Sequence, residues 1–226
     1  MNIVVSGASR GIGYEVVKQF AELGHSVLAL ARNKEALLKL EKEKGDISIL
    51  AIDINDESLE ESFSSFYQEG DRIDVLINNA GQLINKPFLE TLSSDFVQQF
   101  ESNVLSIVNL SKVCIPYMGE NSHVVNITSM GGFQGSSKFS GLSAYSSSKG
   151  AVSILSECMA EELKEEGIKV NALALGAVQT EMLEAAFPEY KAPLSAQEMA
   201  KYLVNFGLEG YQYYNGKVLP VALGNP

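Results

Sequence analysis

Seven apolar runs of strand length, separated by longer amphipathic segments, constrain the fold of this chain more than any other feature. The runs are nearly continuous in Val, Ile, Leu and Ala, which is typical of strands buried on both faces of a parallel sheet. Parallel neighbours need a long crossover, and the intervening segments have the length and pattern of helices. The predicted strands are 2–7, 26–32, 47–53, 73–81, 122–129, 168–175 and 216–223.

The intervening segments complete the predicted architecture. Gly24 is a suitable C-terminal cap for the first of them, and Asn33 is a preferred N-cap for the second. Strand and helix signals both weaken over 176–200, which indicates a surface excursion. We predict an α/β fold with one Rossmann-type doubly wound domain over 1–226, in which helices cover both faces of a mostly parallel seven-stranded sheet. The predicted helices are 13–24, 33–45, 56–70, 93–118 and 144–167.

Composition limits the classes of function. The 226 residues carry a net charge of −11, which disfavours nucleic acid and anionic membranes as partners. The N-terminus lacks a basic start followed by an apolar signal segment, and no apolar run spans a membrane, so we expect a cytoplasmic protein. Cys114 and Cys158 are expected to be reduced core thiols. His25 and His123 are isolated from other ligand-type residues, so no metal site is expected.

A glycine turn, "SGASRGIG", joins the first strand to the first helix. Gly7, Gly11 and Gly13 allow a sharp turn and let a diphosphate approach the main-chain N–H groups. The helix that follows presents free donors and a partial positive charge. A plain tight turn is the alternative, but the strand and helix on either side favour nucleotide binding.

Tyr145 and Lys149 are four residues apart, so on a helix they share a face. A phenol has a reference pKa of ~10, and a nearby ammonium group lowers it, so that the tyrosine becomes a usable acid or base. The spacing alone is common by chance, and an amphipathic helix with an incidental Tyr and Lys is the alternative.

Together these motifs resemble the short-chain dehydrogenase/reductase family. The resemblance rests on Gly-x-x-x-Gly-x-Gly at 7–13, "NNAG" at 78–81 and Tyr-x-x-x-Lys at 145–149, and it runs through "YYNGKVLPVALG". It implies an oxidoreductase that transfers hydride between a nicotinamide cofactor and a small-molecule carbonyl or secondary alcohol, such as a 3-oxoacyl reductase-like ketoreductase. It also implies a homodimer or homotetramer formed through the two long helices. A redox-sensing regulator or structural protein on the same fold is the alternative.

The resemblance favours NADP(H) over NAD(H) as cofactor. Arg10 lies in the glycine loop and Arg32 ends the second strand, where NAD enzymes usually carry an acid. Two guanidinium groups suit a 2′-phosphate, although ordinary surface arginines are the alternative. Asp53 is implied to bond the adenine amino group, or alternatively caps a helix. The implied cofactor-binding residues are Ser6, Gly7, Ser9, Arg10, Gly11, Ile12, Gly13, Arg32, Asp53, Ile54, Asn79, Ala80, Gly81, Tyr145, Lys149, Gly176, Val178 and Thr180.

Four residues are implied to carry catalysis. Tyr145 supplies the proton, Ser129 holds the reacting oxygen and Lys149 tunes the tyrosine, while Asn103 maintains a proton relay. Ser129 precedes Tyr145 by sixteen positions rather than the usual thirteen, which indicates a three-residue insertion in the loop after Gly132. Only Ser129 combines the strand end with the local motif; the rival hydroxyls are Thr128, Ser136, Ser137, Ser140 and Ser143.

Substrate identity depends on the least regular part of the chain. A short lid is expected around 181–195. Before it, Leu175 stands where the family usually has Pro. A short lid favours an open cleft for a bulky or carrier-bound substrate, or a cleft closed by a partner subunit. The candidate pocket residues are Leu83, Phe133, Met182 and Phe187, with ordinary packing as the alternative.

Overall fold

Seven parallel strands form the main sheet of the computed structural model, which describes residues 1–223. The described strands, two of them short and paired only with each other, are β1 (Asn2–Ser6), β2 (Ser26–Ala31), β3 (Asp46–Ala51), β4 (Val75–Asn78), β5 (His123–Ser129), β6 (Lys169–Leu175), β7 (Val178–Gln179), β8 (Leu194–Ser195) and β9 (Val218–Val221). The main sheet has the order β3-β2-β1-β4-β5-β6-β9. Every neighbouring pair in it is parallel.

Helices cover both faces of this sheet. The described α-helices are α1 (Gly11–Glu22), α2 (Lys34–Leu40), α3 (Leu59–Ser64), α4 (Ser93–Phe100), α5 (Ser106–Cys114), α6 (Ser143–Glu162), α7 (Glu181–Ala186) and α8 (Ala196–Glu209). One apolar core packs α1 and α8 against the sheet through residues such as Phe20 and Leu203. A second core packs α3 and α5 on the opposite face, around Phe63 and Leu110.

The predicted architecture is confirmed. All seven predicted strands are present. The order in which successive strands join the sheet reverses between β1 and β4, and such a switch point is where ligands bind in open α/β sheets. Two predicted caps also form: the Asn33 side chain accepts from the backbone N–H of Ala36, and Gly24 adopts a φ of +86° at the end of α1. Residues 224–226 of the predicted domain, including the last Gly of "YYNGKVLPVALG", lie outside the described residues.

Several helical boundaries differ from the prediction. The segment predicted as one helix over 93–118 is interrupted by a π-helical turn, Glu101–Leu105, between α4 and α5. Helix α8 is absent from the sequence-based prediction, although a capping box marks its start. The Ser195 hydroxyl accepts from the backbone N–H of Glu198, and the Glu198 carboxylate accepts from the backbone N–H of Ser195.

The expectation of two core thiols is wrong for one cysteine. Cys114 is buried in the second core, whereas Cys158 is exposed. Ile154, one turn before Cys158 on α6, is also exposed, at 61%. This stripe of α6 therefore faces solvent although its sequence is apolar. Within the described residues, no helix combines the length and the apolar character that crossing a membrane requires.

Candidate functional site

The glycine turn wraps closely around the carboxyl end of β1. Gly7 and Gly11 adopt φ of +67° and +56°, which favour glycine. A Cβ at Gly13 would overlap the carbonyl oxygen of Gly7 and approach Nδ2 of Asn79 to 2.5 Å. Gly13 therefore lets helix α1 begin directly against the turn.

The segment after β4 locks this turn in place. The buried Ser6 hydroxyl accepts hydrogen bonds from the backbone N–H groups of Asn79 and Ala80, each at 3.1 Å. Asn79 Nδ2 in turn donates to the carbonyl oxygens of Ser6 and Gly7. A Cβ at Gly7 would lie 2.8 Å from the Cα of Ala80. The two chain segments thus form one wall built largely of backbone.

Both candidate phosphate-binding arginines are exposed at this wall, and each faces a carboxylate. Arg10 Nη1 lies 3.0 Å from Glu181 Oε2, and Arg32 Nη1 lies 3.8 Å from Asp53 Oδ2. The arginine side chains are 59% and 76% exposed, so these ion pairs are weak and readily exchanged for another anion.

Tyr145 and Lys149 lie on the first two turns of α6. Tyr145 lines the cleft together with Ser129, which stands at the end of β5. Burial raises the pKa of Tyr145, and the neighbouring Ser129 side chain opposes that shift. Lys149 Nζ lies 6.0 Å from the centre of the Tyr145 ring, which is close enough for its charge to act on the phenol.

Lys149 is buried with a single backbone acceptor. Its Nζ donates to the carbonyl oxygen of Ile127 at 2.8 Å, and the residue is only 4% exposed. Burial lowers the pKa of Lys149 to about 8. The backbone carbonyl of Lys149 accepts from the Thr128 hydroxyl at 2.6 Å, which engages one of the rival hydroxyls away from Tyr145.

Asn103 lies in the π-helical turn and is fully buried. Its amide pairs with the backbone of Gln82, accepting from the N–H at 2.8 Å and donating to the carbonyl at 3.0 Å. It also donates to the Ser148 hydroxyl at 2.9 Å, next to Lys149 in sequence. A Cβ at Gly81 would lie 2.9 Å from Asn103 Oδ1 and 3.4 Å from Lys149 Nζ. Asn103 therefore ties the post-β4 segment to helix α6, and Gly81 keeps the space beside the lysine open.

A cleft of about 1100 Å³ brings most of the predicted residues together. Ser6, Gly13 and Asn103 do not line it, and the structure places them behind its wall as supports. The predicted site residues that line it are Gly7, Ser9, Arg10, Gly11, Ile12, Arg32, Asp53, Ile54, Asn79, Ala80, Gly81, Ser129, Tyr145, Lys149, Gly176, Val178 and Thr180.

The far end of the cleft is formed by the lid helix α7 and by residues 133–142, hereafter the inserted loop. Leu83, Met182 and Phe187 line the cleft as predicted, but Phe133 lines only an adjoining depression of about 450 Å³, which shares Gly131, Phe139 and Leu142 with the cleft. The cleft-lining Phe139, Leu142 and Tyr190 are absent from the sequence-based prediction. Phe139 and Leu142 lie in a Ser/Gly-rich stretch without a motif, so only their apolar character marks them in the sequence. Tyr190 follows the lid helix, in a segment that likewise carries no motif.

The wall fits a nicotinamide dinucleotide. Gly7, Gly11 and Ile12 line the cleft where α1 begins, so the N-terminus of α1 offers its backbone N–H groups to a diphosphate there. The two arginines stand at one end and the Tyr145–Lys149 pair lines the same cleft.

Comparison with known proteins gives the family context. The family model described as short chain dehydrogenase matches residues 1–191. An oxidoreductase of Botryotinia fuckeliana is 33% identical over 182 residues, covering 78% of this chain and 65% of that protein. Carbonyl reductase (NADPH) 2 of Sus scrofa is 32% identical over 186 residues, covering 80% and 73%. The match covers 66% of an uncharacterised oxidoreductase of Bacillus subtilis. The chain thus spans about two thirds of the length of the Botryotinia and Bacillus proteins.

Solved structures match nearly the whole chain. A 7α-hydroxysteroid dehydrogenase complexed with NADH and 7-oxo glycochenodeoxycholic acid has a TM-score of 0.86 and 29% identity, covering 99% of this chain and 93% of that chain. A protein of Beutenbergia cavernae, described as an NAD(P)-dependent gluconate 5-dehydrogenase with bound NADP, has a TM-score of 0.85 and 28% identity, covering 98% and 94%.

Proposed function

The chain belongs to the short-chain dehydrogenase family, and from this premise we propose that it is an NADP(H)-dependent oxidoreductase that interconverts a carbonyl compound and the corresponding alcohol. One observation carries the proposal: Tyr145, Ser129 and Lys149 line one cleft together with the glycine turn, and Lys149 Nζ lies 6.0 Å from the centre of the Tyr145 ring. The arrangement provides a proton donor, a partner for the reacting oxygen and a nearby cation.

Tyr145 and Ser129 act on the substrate oxygen. When bound, the nicotinamide cofactor supplies the hydride in reduction and accepts it in oxidation. The raised pKa of Tyr145 keeps its hydroxyl protonated at neutral pH, so it is able to donate the proton that the carbonyl oxygen needs during reduction. Ser129 holds that oxygen beside the phenol by hydrogen bonding. In oxidation the same two groups hold the alcohol, and Tyr145 removes its proton.

Lys149 stabilises the phenolate that remains after proton donation. Its charge is near the ring and shielded from solvent, where electrostatic attraction is stronger than in water. Asn103 acts as a positioning residue, because its amide joins Gln82 to Ser148 and thereby fixes the start of α6. We propose that a proton relay to solvent passes beside Gly81, in the space between Asn103 and Lys149.

The preference for NADP(H) rests on Arg10 and Arg32. Both line the cleft, are exposed and are paired only with weakly held carboxylates, so a 2′-phosphate is able to replace those partners. No acid follows β2 in the position typical of NAD binding, since Ala31 and Arg32 stand there.

Association of two or four copies through the long helices is part of the proposal. Val97 on α4 and Ile154 on α6 are 56% and 61% exposed, which supports burial of these helices against another copy.

Catalysis by Tyr145 is tested by Tyr145→Phe. We expect kcat/KM for carbonyl reduction with NADPH to fall by about 10²- to 10⁴-fold, the usual range for removal of a general acid. NADPH affinity measured by calorimetry should change by less than about threefold, because the ring remains. Tyr213→Phe, at a residue 74% exposed and outside the cleft, is the matched control and should leave both values unchanged. Full turnover by Tyr145→Phe would remove the catalytic assignment.

A further inference from the structure

We propose that the substrate is a neutral ketone or alcohol with a bulky apolar body, held between the inserted loop and the lid. This inference rests on the proposed function, since it names the substrate class of the same site. The chain segments 130–142 and 182–190 meet the cleft beyond Tyr145 and contribute mainly apolar side chains. The apolar side chains are Met130, Phe139, Leu142, Met182, Leu183, Phe187 and Tyr190.

One short segment holds the two apolar walls together. Asn85 Nδ2 donates to the carbonyl oxygen of Ala186 at the end of the lid helix, at 2.8 Å. The next residue, Lys86, donates its backbone N–H to the carbonyl oxygen of Gly141 in the inserted loop, at 2.9 Å. The inserted loop and the lid helix are therefore both hydrogen-bonded to the Asn85–Lys86 segment, which fixes their positions relative to each other. The apolar end of the cleft consequently has a defined shape.

Charged groups of the cleft are already occupied or belong to the cofactor end. Six charged residues line it, three cationic and three anionic: Arg10, Arg32, Lys149, Asp53, Glu101 and Glu181. Arg10 and Arg32 are the residues proposed to hold the 2′-phosphate of the cofactor, and Lys149 is buried and donates to the carbonyl oxygen of Ile127. With the cofactor bound, none of the three cations is left for an anionic group of the substrate.

Lysines close to the apolar walls are also engaged. Lys86 Nζ pairs with Asp95 Oδ2 at 2.9 Å, and Lys138 Nζ donates to the carbonyl of Phe133 and to the Ser136 hydroxyl. Lys191 follows the lid helix α7 but does not line the cleft. A carboxylate or phosphate on the substrate would be desolvated there without a partner, and the net charge of −11 adds repulsion.

A matched pair of ketones tests this inference. In 4-phenylcyclohexanone and 4-(4-oxocyclohexyl)benzoate the reacting ring is the same and only a carboxylate differs. We expect kcat/KM with NADPH to be at least about 30-fold higher for the neutral ketone, the size expected for an unpaired buried charge. Calorimetry on the NADP⁺-loaded protein should show the neutral ketone binding tighter by a similar factor. L-Sorbose serves as a polar, uncharged comparison and should be the poorest of the three.

Variants locate the effect in the inserted loop. Phe139→Ala should lower kcat/KM for 4-phenylcyclohexanone by about tenfold through lost apolar contact, with little change for cyclohexanone or for NADPH affinity. Phe139→Arg should reverse the preference toward the benzoate. Phe133→Ala, in the same loop but outside the cleft, is the control and should behave like the parent.

Failure of the inference and failure of the proposed function look different. Preference for the benzoate or for sorbose, no measurable binding of either phenyl ketone, or parent-like behaviour of Phe139→Ala overturns the apolar substrate class alone. If calorimetry detects no binding of either NADPH or NADH, the oxidoreductase proposal itself is overturned.

Discussion

The two ends of the cleft are built from different parts of the chain. At the cofactor end, strand termini and backbone groups make the wall, with Ser6, Gly7 and Asn79 joined by hydrogen bonds of 3.1 and 3.3 Å. At the substrate end, side chains on the inserted loop and the lid make the wall, and Asn85 and Lys86 form hydrogen bonds to both segments. The first region tolerates little change because backbone atoms cannot move aside, whereas the second is able to accept new side chains and lengths.

Two glycine-to-alanine substitutions give the sharpest test of this difference. Gly13→Ala forces a Cβ into the carbonyl of Gly7. We expect it to lower the free energy of unfolding by about 2–3 kcal/mol and NADPH affinity by at least about 100-fold, since the turn must open. Gly135→Ala, in the inserted loop, meets no atom within 4 Å and is strained only by its φ of +84°. It should cost about 1 kcal/mol and leave NADPH affinity unchanged.

For both variants, chemical denaturation measures the free energy of unfolding and calorimetry measures the affinity for NADPH. Equal loss of NADPH affinity in Gly13→Ala and Gly135→Ala would contradict the distinction between a backbone-built wall and a side-chain-built wall.

The same distinction explains how much of the molecule the sequence predicts. At the cofactor end each residue is fixed by local chemistry: glycines where the turn bends, and Asn33 and Gly24 where helices begin and end. The alternation of buried strands and helices specifies the sheet, because few topologies bury such strands on both faces. These features depend on neighbours in sequence and are therefore visible without the structure.

Features that depend on distant contacts are less visible. The π-helical turn at Asn103 follows from its bonds to Gln82 and Ser148, which lie in other segments. Phe139 rather than Phe133 reaches the cleft because the path of the inserted loop is set by its contact with Lys86. The exposed position of Cys158 likewise depends on which face of α6 packs on the sheet.

Lys149 lies between the two ends and shows what the site costs the fold. The unfolded chain holds the lysine proton up to a pH of about 10.5, while the folded protein loses it near the lowered pKa of about 8. Between these values the unfolded state binds more protons, so the free energy of unfolding rises with pH, by about 3 kcal/mol across the window. Below pH 8 the full cost of burying the charge is present.

Lys149→Met removes that cost and the catalytic cation together. At pH 7 we expect the variant to be more stable by about 1–2 kcal/mol, the gain being reduced because the carbonyl of Ile127 loses its donor. The advantage of the variant should vanish and then reverse as pH rises from 8 to 10.5, because the parent alone gains stability there; urea denaturation measures this. Lys112→Met, on an exposed position of α5, is the matched control. A Lys149→Met variant with unchanged pH dependence would show that the lysine is not buried as a charge.

Substitution of Glu181 is expected to have the smallest effect of the changes considered. Glu181 is the first residue of the lid helix and pairs with Arg10 of the glycine turn, so it connects the two ends of the cleft. A 2′-phosphate must compete with this carboxylate for the guanidinium group. Glu181→Gln removes the competitor, so we expect NADPH to bind about two- to fivefold tighter at low salt, in line with the strength of an exposed ion pair, and NADH to bind unchanged. Raising the salt concentration should reduce the gain. Glu184→Gln, one turn further along the lid helix, keeps the pair between Arg10 and Glu181 and should bind NADPH like the parent. Weaker NADPH binding by Glu181→Gln would contradict the competition. It would mean that Arg10 needs the Glu181 carboxylate to reach the phosphate, and that the lid is part of the cofactor site.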